Sequence, residues 1–348
     1  MATGIWIQPL LPSKSVFYSI NAYFRLHIFL MKLLNAFLRL VRLPNLVMIA
    51  VTQVLFYFSV IPLYSGDDIW IYSTFKLQHY LLLIISSLLI AAAGNIINDY
   101  FDRNIDEINK PEKKIVDKLI KRRWVIVMHI AFSVTAIFIG FYIDSQTPVF
   151  WLGFSNALCV LLLFAYSISL KKKLLVGNVL ISLLTAWVIF VCFICYYRTL
   201  VCSGCEPTEE WPATLRRFMR ISFLYVGFAF VISLIREVVK DMEDMEGDRK
   251  YGCKTIPITW GIPAAKVFVA VWLVVLIGMI SIVQIYVWQL GWYWSAAYSI
   301  VLIIAPLVWI LRKLYQAQVP KDYHQLSTVI KLVMLAGLLS MIFFKIYS

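Results

Sequence analysis

Asp99, Asp102 and Asp106 follow Asn98 in the pattern N-D-x-x-D-x-x-x-D, and Asp241, Asp244 and Asp248 repeat the D-x-x-D-x-x-x-D spacing far along the chain. At about 100° per residue on a helix, Asn98, Asp99, Asp102 and Asp106 fall at roughly 0°, 100°, 40° and 80°, on one face. Carboxylates crowded in this way repel one another, and at a helix C-terminus they also meet the unfavourable pole of its dipole. A divalent cation relieves both costs, and ligands that are all oxygen select Mg2+ or a similar hard ion. One such helix end reads as a solvated cap. Two with the same spacing read as a binuclear-type Mg2+ site able to grip a diphosphate between them.

Each motif ends an apolar run, Leu81 to Ile97 for the first and Phe223 to Ile235 for the second. The elements that position them are therefore membrane spans. Of 348 residues 61% are hydrophobic and 15% charged, with a mean hydropathy of +0.81. This composition implies an all-α polytopic membrane protein. Stretches near the ~20 residues needed to cross a bilayer run at 43–64, 80–98, 124–143, 149–168, 174–197, 219–238, 264–288, 292–312 and 328–347. They make nine transmembrane helices, a domain of residues 42–348. Residues 1–41 form an N-terminal segment. Its stretch from Val16 to Leu40, interrupted by Arg25, His27, Lys32, Asn35 and Arg39, reads as an interfacial amphipathic helix.

The net charge of +13 is carried by residues flanking spans and not by one soluble patch, which excludes nucleic acid as a partner. Loops after even-numbered spans hold 19 Lys and Arg, against 5 in those after odd-numbered spans. The positive-inside rule then places the N-terminus and both Asp motifs in the cytoplasm and the C-terminus outside, in an inner or plasma membrane. Both motifs end spans that run the same way, so they can face each other across one cavity. The recurrence reads as an internal repeat, by duplication or by convergence. A gripped diphosphate with a hydrocarbon tail lying among the spans describes an isoprenoid diphosphate.

From about Arg42 to the C-terminus the chain resembles the UbiA superfamily of intramembrane prenyltransferases. The matching residues are Asn98, Asp99, Asp102 and Asp106 in the first motif and Asp241, Asp244 and Asp248 in the second. The resemblance implies nine transmembrane helices around a central cavity that opens to the cytoplasmic side. It also implies a Mg2+ cofactor, a prenyl diphosphate donor and a lipophilic acceptor. By the same resemblance Asp102, Asp106, Asp244 and Asp248 are catalytic and hold Mg2+ together with Asn98, Asp99 and Asp241. The segment Asn109-Lys110-Pro111-Glu112-Lys113-Lys114 is similar to the family's N-R-P-x-R-P, with Lys for Arg. Lys110 and Lys113 then supply charge to phosphate without the bidentate fork of Arg. Val116-Asp117-Lys118 stands where the family has a small-residue turn. The other diphosphate-binding residues implied are Arg42 and Asn45 opening span one, and Tyr166, Lys171 and Lys172 ending span four. Arg236, Lys240 and Lys254 around the second motif complete the set. The plainer role for each is an interfacial aromatic or a basic anchor.

The run from Arg236 to Asp248, followed by Lys254-Thr255-Ile256-Pro257, is most similar to the digeranylgeranylglyceryl phosphate synthase branch. That resemblance implies transfer of a geranylgeranyl group to geranylgeranylglyceryl phosphate in ether-lipid synthesis. The Glu246-Gly247-Asp248 triplet is related to the second motif of homogentisate prenyltransferases and chlorophyll synthases, which keeps an aromatic quinone precursor open as acceptor. A cation-coupled transporter is the competing class. Its usual mark, ionisable residues deep within spans, is nearly absent. Cys192-x-x-Cys195 and Cys202-x-x-Cys205 imitate a metal pattern. The first pair lies in an apolar span and the second in a loop outside, so a Cys202–Cys205 disulfide and core packing of the other cysteines are expected.

Overall fold

Hydrocarbon offers a backbone no hydrogen-bond partners, so apolar runs that enter it close their bonds internally as helices. The computed structural model, which describes residues 14–62, 75–109, 120–202 and 211–347, follows that rule. The first helices are α1 (Lys14–Leu40), α2 (Leu43–Leu55), α3 (Leu77–Asn109), α4 (Arg122–Gln146) and α5 (Leu152–Ile168). They are followed by α6 (Val176–Cys202), α7 (Trp211–Glu243), the short α8 (Met245–Lys250), α9 (Ile262–Gln289), α10 (Tyr293–Gln316) and α11 (Pro320–Leu339).

Among the described residues, eight helices are long and apolar enough to cross a membrane. The sequence predicts nine spans, the fourth at 149–168, and there α5 has only 17 residues. The shortening has a local cause. Asp144, near the end of α4, accepts hydrogen bonds from the backbone N–H groups of Leu152 at 3.0 Å and Gly153 at 2.8 Å. A carboxylate thus satisfies the first donors of α5 and fixes where that helix starts. A Cβ at Gly140 would stand 2.8 Å from the Gly153 Cα, so α4 and α5 meet backbone to backbone.

Two spans contain a widened turn, Phe56–Val60 continuing α2 and Ile300–Ile304 within α10. Pro62 and Pro306 each follow by two residues. Proline lacks an N–H and clashes with the carbonyl four residues earlier, and a π-type turn absorbs both defects.

The buried side chains form two large clusters and two smaller ones centred on α3 and α4. Phe56, Tyr80, Ile189 and Phe218 centre one large cluster, from α2, α3, α6 and α7. Ile232, Val269, Leu307 and Ile330 centre the other, from α7, α9, α10 and α11. In lipid the hydrophobic drive between helices is lost, so dispersion between closely fitted side chains holds these clusters together. The outer faces stay apolar, with Phe138, Phe154 and Ile282 each about 70% exposed. Helix α7 belongs to both large clusters, and it delivers the second acidic motif. Helix α8 then packs against α3, which carries the first.

Candidate active site

Helix α3 runs unbroken from its apolar part through Asn98, Asp99, Asp102 and Asp106 to Asn109. One face is therefore set, as the spacing predicts, but its members point to different partners. Asn98 Nδ2 donates to Asp102 Oδ2 at 2.6 Å, one turn on. Lys171 Nζ reaches both, pairing with Asp102 Oδ1 and approaching Asn98 Oδ1 at 3.4 Å. Asp99 turns the other way and accepts from Arg42 Nη2 at 2.8 Å. The Asp106 side chain lies outside the described residues, as do Lys110 and Lys113.

Arg42 reaches Asp99 from an unusual backbone. It sits between α1 and α2 with φ 55° and ψ 56°, left-handed values that a side chain with a Cβ adopts only under strain. Asn95 Nδ2 anchors the same break by donating to the Val41 carbonyl at 3.0 Å.

The second motif repeats the spacing of the first without repeating its helix. Asp241 is still in α7, Asp244 sits at the junction with φ −95° and ψ 8°, and Asp248 is in α8. Asn109 accounts for the kink. Its Nδ2 donates to the Asp244 carbonyl at 3.0 Å, and its Oδ1 accepts from the Gly247 N–H at 2.8 Å. A Cβ at position 247 would overlap that side chain, so the contact requires glycine. One amide at the end of the first motif thereby clamps the second. Asn178, opening α6, donates to Asp241 Oδ2 at 2.8 Å. Sequence reasoning missed both roles. Asn109 reads there as part of a basic loop. Asn178 has no signal beyond being a polar residue at the start of a span.

The clamp brings carboxylates from both motifs into one electrostatic neighbourhood. Burial, and then the charges of Asp244 and Asp102, push the Asp248 carboxyl up to about 7, with Lys171 and Lys240 opposing. That excess of negative charge suits a cation. Among the described residues no three His, Cys, Asp or Glu side chains converge closely enough to form a ligand set. The donors the two motifs offer are all oxygen, which fits a hard ion such as Mg2+ that completes its shell from water and a phosphate-bearing ligand.

Lys171 is positioned by tight local packing. The turn Leu170–Lys172 folds back onto the start of α6, and a Cβ at Gly177 would stand 2.8 Å from the Lys171 Cα and 3.2 Å from the Tyr166 ring. Tyr166 is within electrostatic reach of Asp102, Asp241, Glu237 and Arg42. Lys172 and Lys254 are exposed, and what joins them is backbone, the Lys254 N–H donating to the Lys172 carbonyl at 2.8 Å. Arg236 pairs with Glu237 at 3.0 Å, Lys240 lies 3.9 Å from the same carboxylate, and Asn45 accepts from Lys331 Nζ at 2.8 Å.

Cys159, Cys192, Cys195 and Cys253 are buried free thiols, consistent with packing. The pairing expected of Cys202 and Cys205 falls outside the described residues.

Residues 59–339 match the model of the UbiA prenyltransferase family. The chain is 36% identical over 218 residues to a digeranylgeranylglyceryl phosphate synthase of Methanothermobacter thermautotrophicus, covering 63% of this chain and 67% of that one. A solved digeranylgeranylglyceryl phosphate synthase structure shares its fold, with TM-score 0.56 and 23% identity over 89% of this chain and 98% of the other. A UbiA homologue from Archaeoglobus fulgidus bound to DMAPP and Mg2+ superposes with TM-score 0.50 and 17% identity, covering 88% and 98%.

Proposed function

The chain belongs to the UbiA prenyltransferase family, and on that premise we propose that it transfers a geranylgeranyl group to the free hydroxyl of geranylgeranylglyceryl phosphate. It is an integral membrane protein and a prenyltransferase. The relatives named digeranylgeranylglyceryl phosphate synthase support this acceptor, and the homologue bound to DMAPP and Mg2+ supports the ion. The observation that carries the reading is the clamp of the second motif onto the end of the first through Asn109, with Lys171 paired to Asp102.

Asp102, Asp106, Asp244 and Asp248, with Asn98, Asp99 and Asp241, would hold the ion. When bound, Mg2+ neutralises charge on the diphosphate and so eases its departure. Lys171 already lies on Asp102 and can shift its charge onto a diphosphate oxygen. Arg42, Tyr166 and Lys172, with Lys110, Lys113 and Lys254, complete the pocket. The allylic C–O bond breaks with its electron pair leaving on diphosphate. The acceptor hydroxyl oxygen bonds to the allylic carbon and loses its proton, so no oxidant or reductant is needed. The bias of Lys and Arg along the chain supports a cytoplasmic N-terminus and site, with the C-terminus outside.

The test is prenyl transfer in liposomes from radiolabelled geranylgeranyl diphosphate to geranylgeranylglyceryl phosphate or to 4-hydroxybenzoate. The expected result is Mg2+-dependent product with the glycerol phosphate, lost in Asp102→Ala. Product with the aromatic acceptor alone sinks the acceptor assignment, and no diphosphate binding at all sinks the enzyme reading.

A further inference from the structure

Lys331 lies in α11, eleven residues after the helix begins at Pro320 and so about 16 Å along its axis. An ionisable side chain at that depth is costly unless it faces the interior of the bundle and finds partners. The Lys331 ammonium is half-buried, and its hydrogen bond is to a neutral acceptor, Asn45 Oδ1 at 2.8 Å. Its charged neighbours make matters worse, because Arg236 and Lys240 on α7 are close enough to repel it. Glu237 accepts a hydrogen bond from Arg236 at 3.0 Å and lies 3.9 Å from Lys240. Arg236 Nε is also buried with no hydrogen-bond partner among the described residues.

Lys240 also faces Asp241 and Asp248, so the cation answered only by a neutral acceptor is Lys331, and together with the unanswered Arg236 Nε–H it makes a cluster suited to an anion. It lies where α11 packs against both α7 and α2. The pairings of Arg42 with Asp99 and of Lys171 with Asp102 are on the other acidic helix, α3. The sequence assigns Arg236, Lys240 and Asn45 to the diphosphate, but the geometry groups them with Lys331. Arg236 and Lys240 are one turn apart, and Lys240 immediately precedes Asp241, so an anion held here is adjacent to the donor's diphosphate but separate from it.

We propose that Lys331, Arg236 and Lys240 form a second anion site, which binds the phosphate of the prenylated glycerol phosphate acceptor. Held at this point, the acceptor presents its hydroxyl toward the allylic carbon while its own charge stays apart from the diphosphate. Asn45 positions Lys331. This inference rests on the acceptor class proposed above and adds where its head group is read.

The full chain in liposomes, with saturating Mg2+, supplies the test. KM for donor and for acceptor is measured in wild type, Lys331→Gln and Lys331→Arg, with geranylgeranylglyceryl phosphate and with the same lipid lacking its phosphate. Loss of a charge-assisted contact is expected to raise the phosphorylated acceptor's KM about 10- to 100-fold in Lys331→Gln. Donor KM is expected to stay unchanged, which also reports intact folding. The variant should lose the wild-type preference for the phosphorylated lipid, and Lys331→Arg should restore much of it. A rise in donor KM with acceptor KM unmoved overturns the proposal. So does an equal loss with both lipids, because a packing defect has no reason to distinguish them. Wild type that prenylates neither glycerol lipid but does prenylate 4-hydroxybenzoate overturns the acceptor reading and this inference with it.

Discussion

Asn109 and Gly247 stand 138 positions apart and share one hydrogen bond, the Gly247 N–H donating to Asn109 Oδ1 at 2.8 Å. Through it the last residue of one acidic helix fixes the geometry of the other. Gly247→Ala forces a Cβ into the Asn109 side chain, and the displacement falls on Asp244 and Asp248. Transfer is expected to drop at least about tenfold, since small misplacements at a reacting centre are expensive. Asn109→Ala removes both bonds, at about 1–3 kcal/mol of stability. In that background Gly247→Ala should cost little more, because the overlap is gone. A double-mutant cycle on kcat/KM and on thermal unfolding checks this, and strictly additive losses contradict the clamp.

Lys171 occupies Asp102 while drawing down the charge felt by Asp248. Lys171→Met removes a cation from the crowd, so Mg2+ alone should bind severalfold more tightly, by about 3–10-fold for a partly screened charge. Turnover should nonetheless fall, because the group that follows the leaving diphosphate is lost. Calorimetric Mg2+ titration and steady-state kinetics give the two readouts. Weaker Mg2+ binding in this variant contradicts the arrangement.

The spans, the two motifs and their convergence were legible because each rests on a periodic or compositional signal: apolar runs of bilayer length, carboxylates at helical spacing, cations biased to alternate loops. Asn109, Asn178 and Lys331 carry no such signal. A single amide or amine says nothing about its partner until the fold brings together positions far apart in sequence, as Lys331 meets Asn45. The identical spacing of the motifs also hides their different backbones, because the kink at Asp244 is imposed by Asn109 from another helix. The short α5 is a third case, since the Asp144 cap depends on how the chain turns and not on hydropathy.

That cap carries its own prediction. Asp144 satisfies the N–H groups of Leu152 and Gly153 far from the acidic motifs in sequence. Asp144→Ala leaves both donors to find other partners, at about 1–3 kcal/mol. Unfolding in detergent should shift to lower temperature while KM for donor and acceptor stays at wild-type values. A changed KM with unchanged stability contradicts a purely structural role.

Asp248 sets a pH dependence whose sign follows from its surroundings. Burial and the neighbouring Asp244 and Asp102 raise its carboxyl from the ordinary 3.8 to about 7. Below that value the metal-free protein holds a proton there, and Mg2+ must displace it. Affinity for Mg2+ should therefore fall by up to about tenfold per pH unit below 7 and level off above it. Stability without metal runs the opposite way. Between the ordinary and raised values the folded state binds more protons than the unfolded one, so raising pH through that window destabilises the metal-free protein. Added Mg2+ should reverse the trend near pH 8, because it replaces the proton as the neutralising charge. Asp248→Asn removes the titration, leaving weak Mg2+ binding that no longer varies between pH 6 and pH 8 (a range of about one unit either side of 7). Calorimetry across that range, paired with thermal unfolding, reads both slopes, and a wild-type affinity that is flat with pH contradicts the crowding of the two motifs.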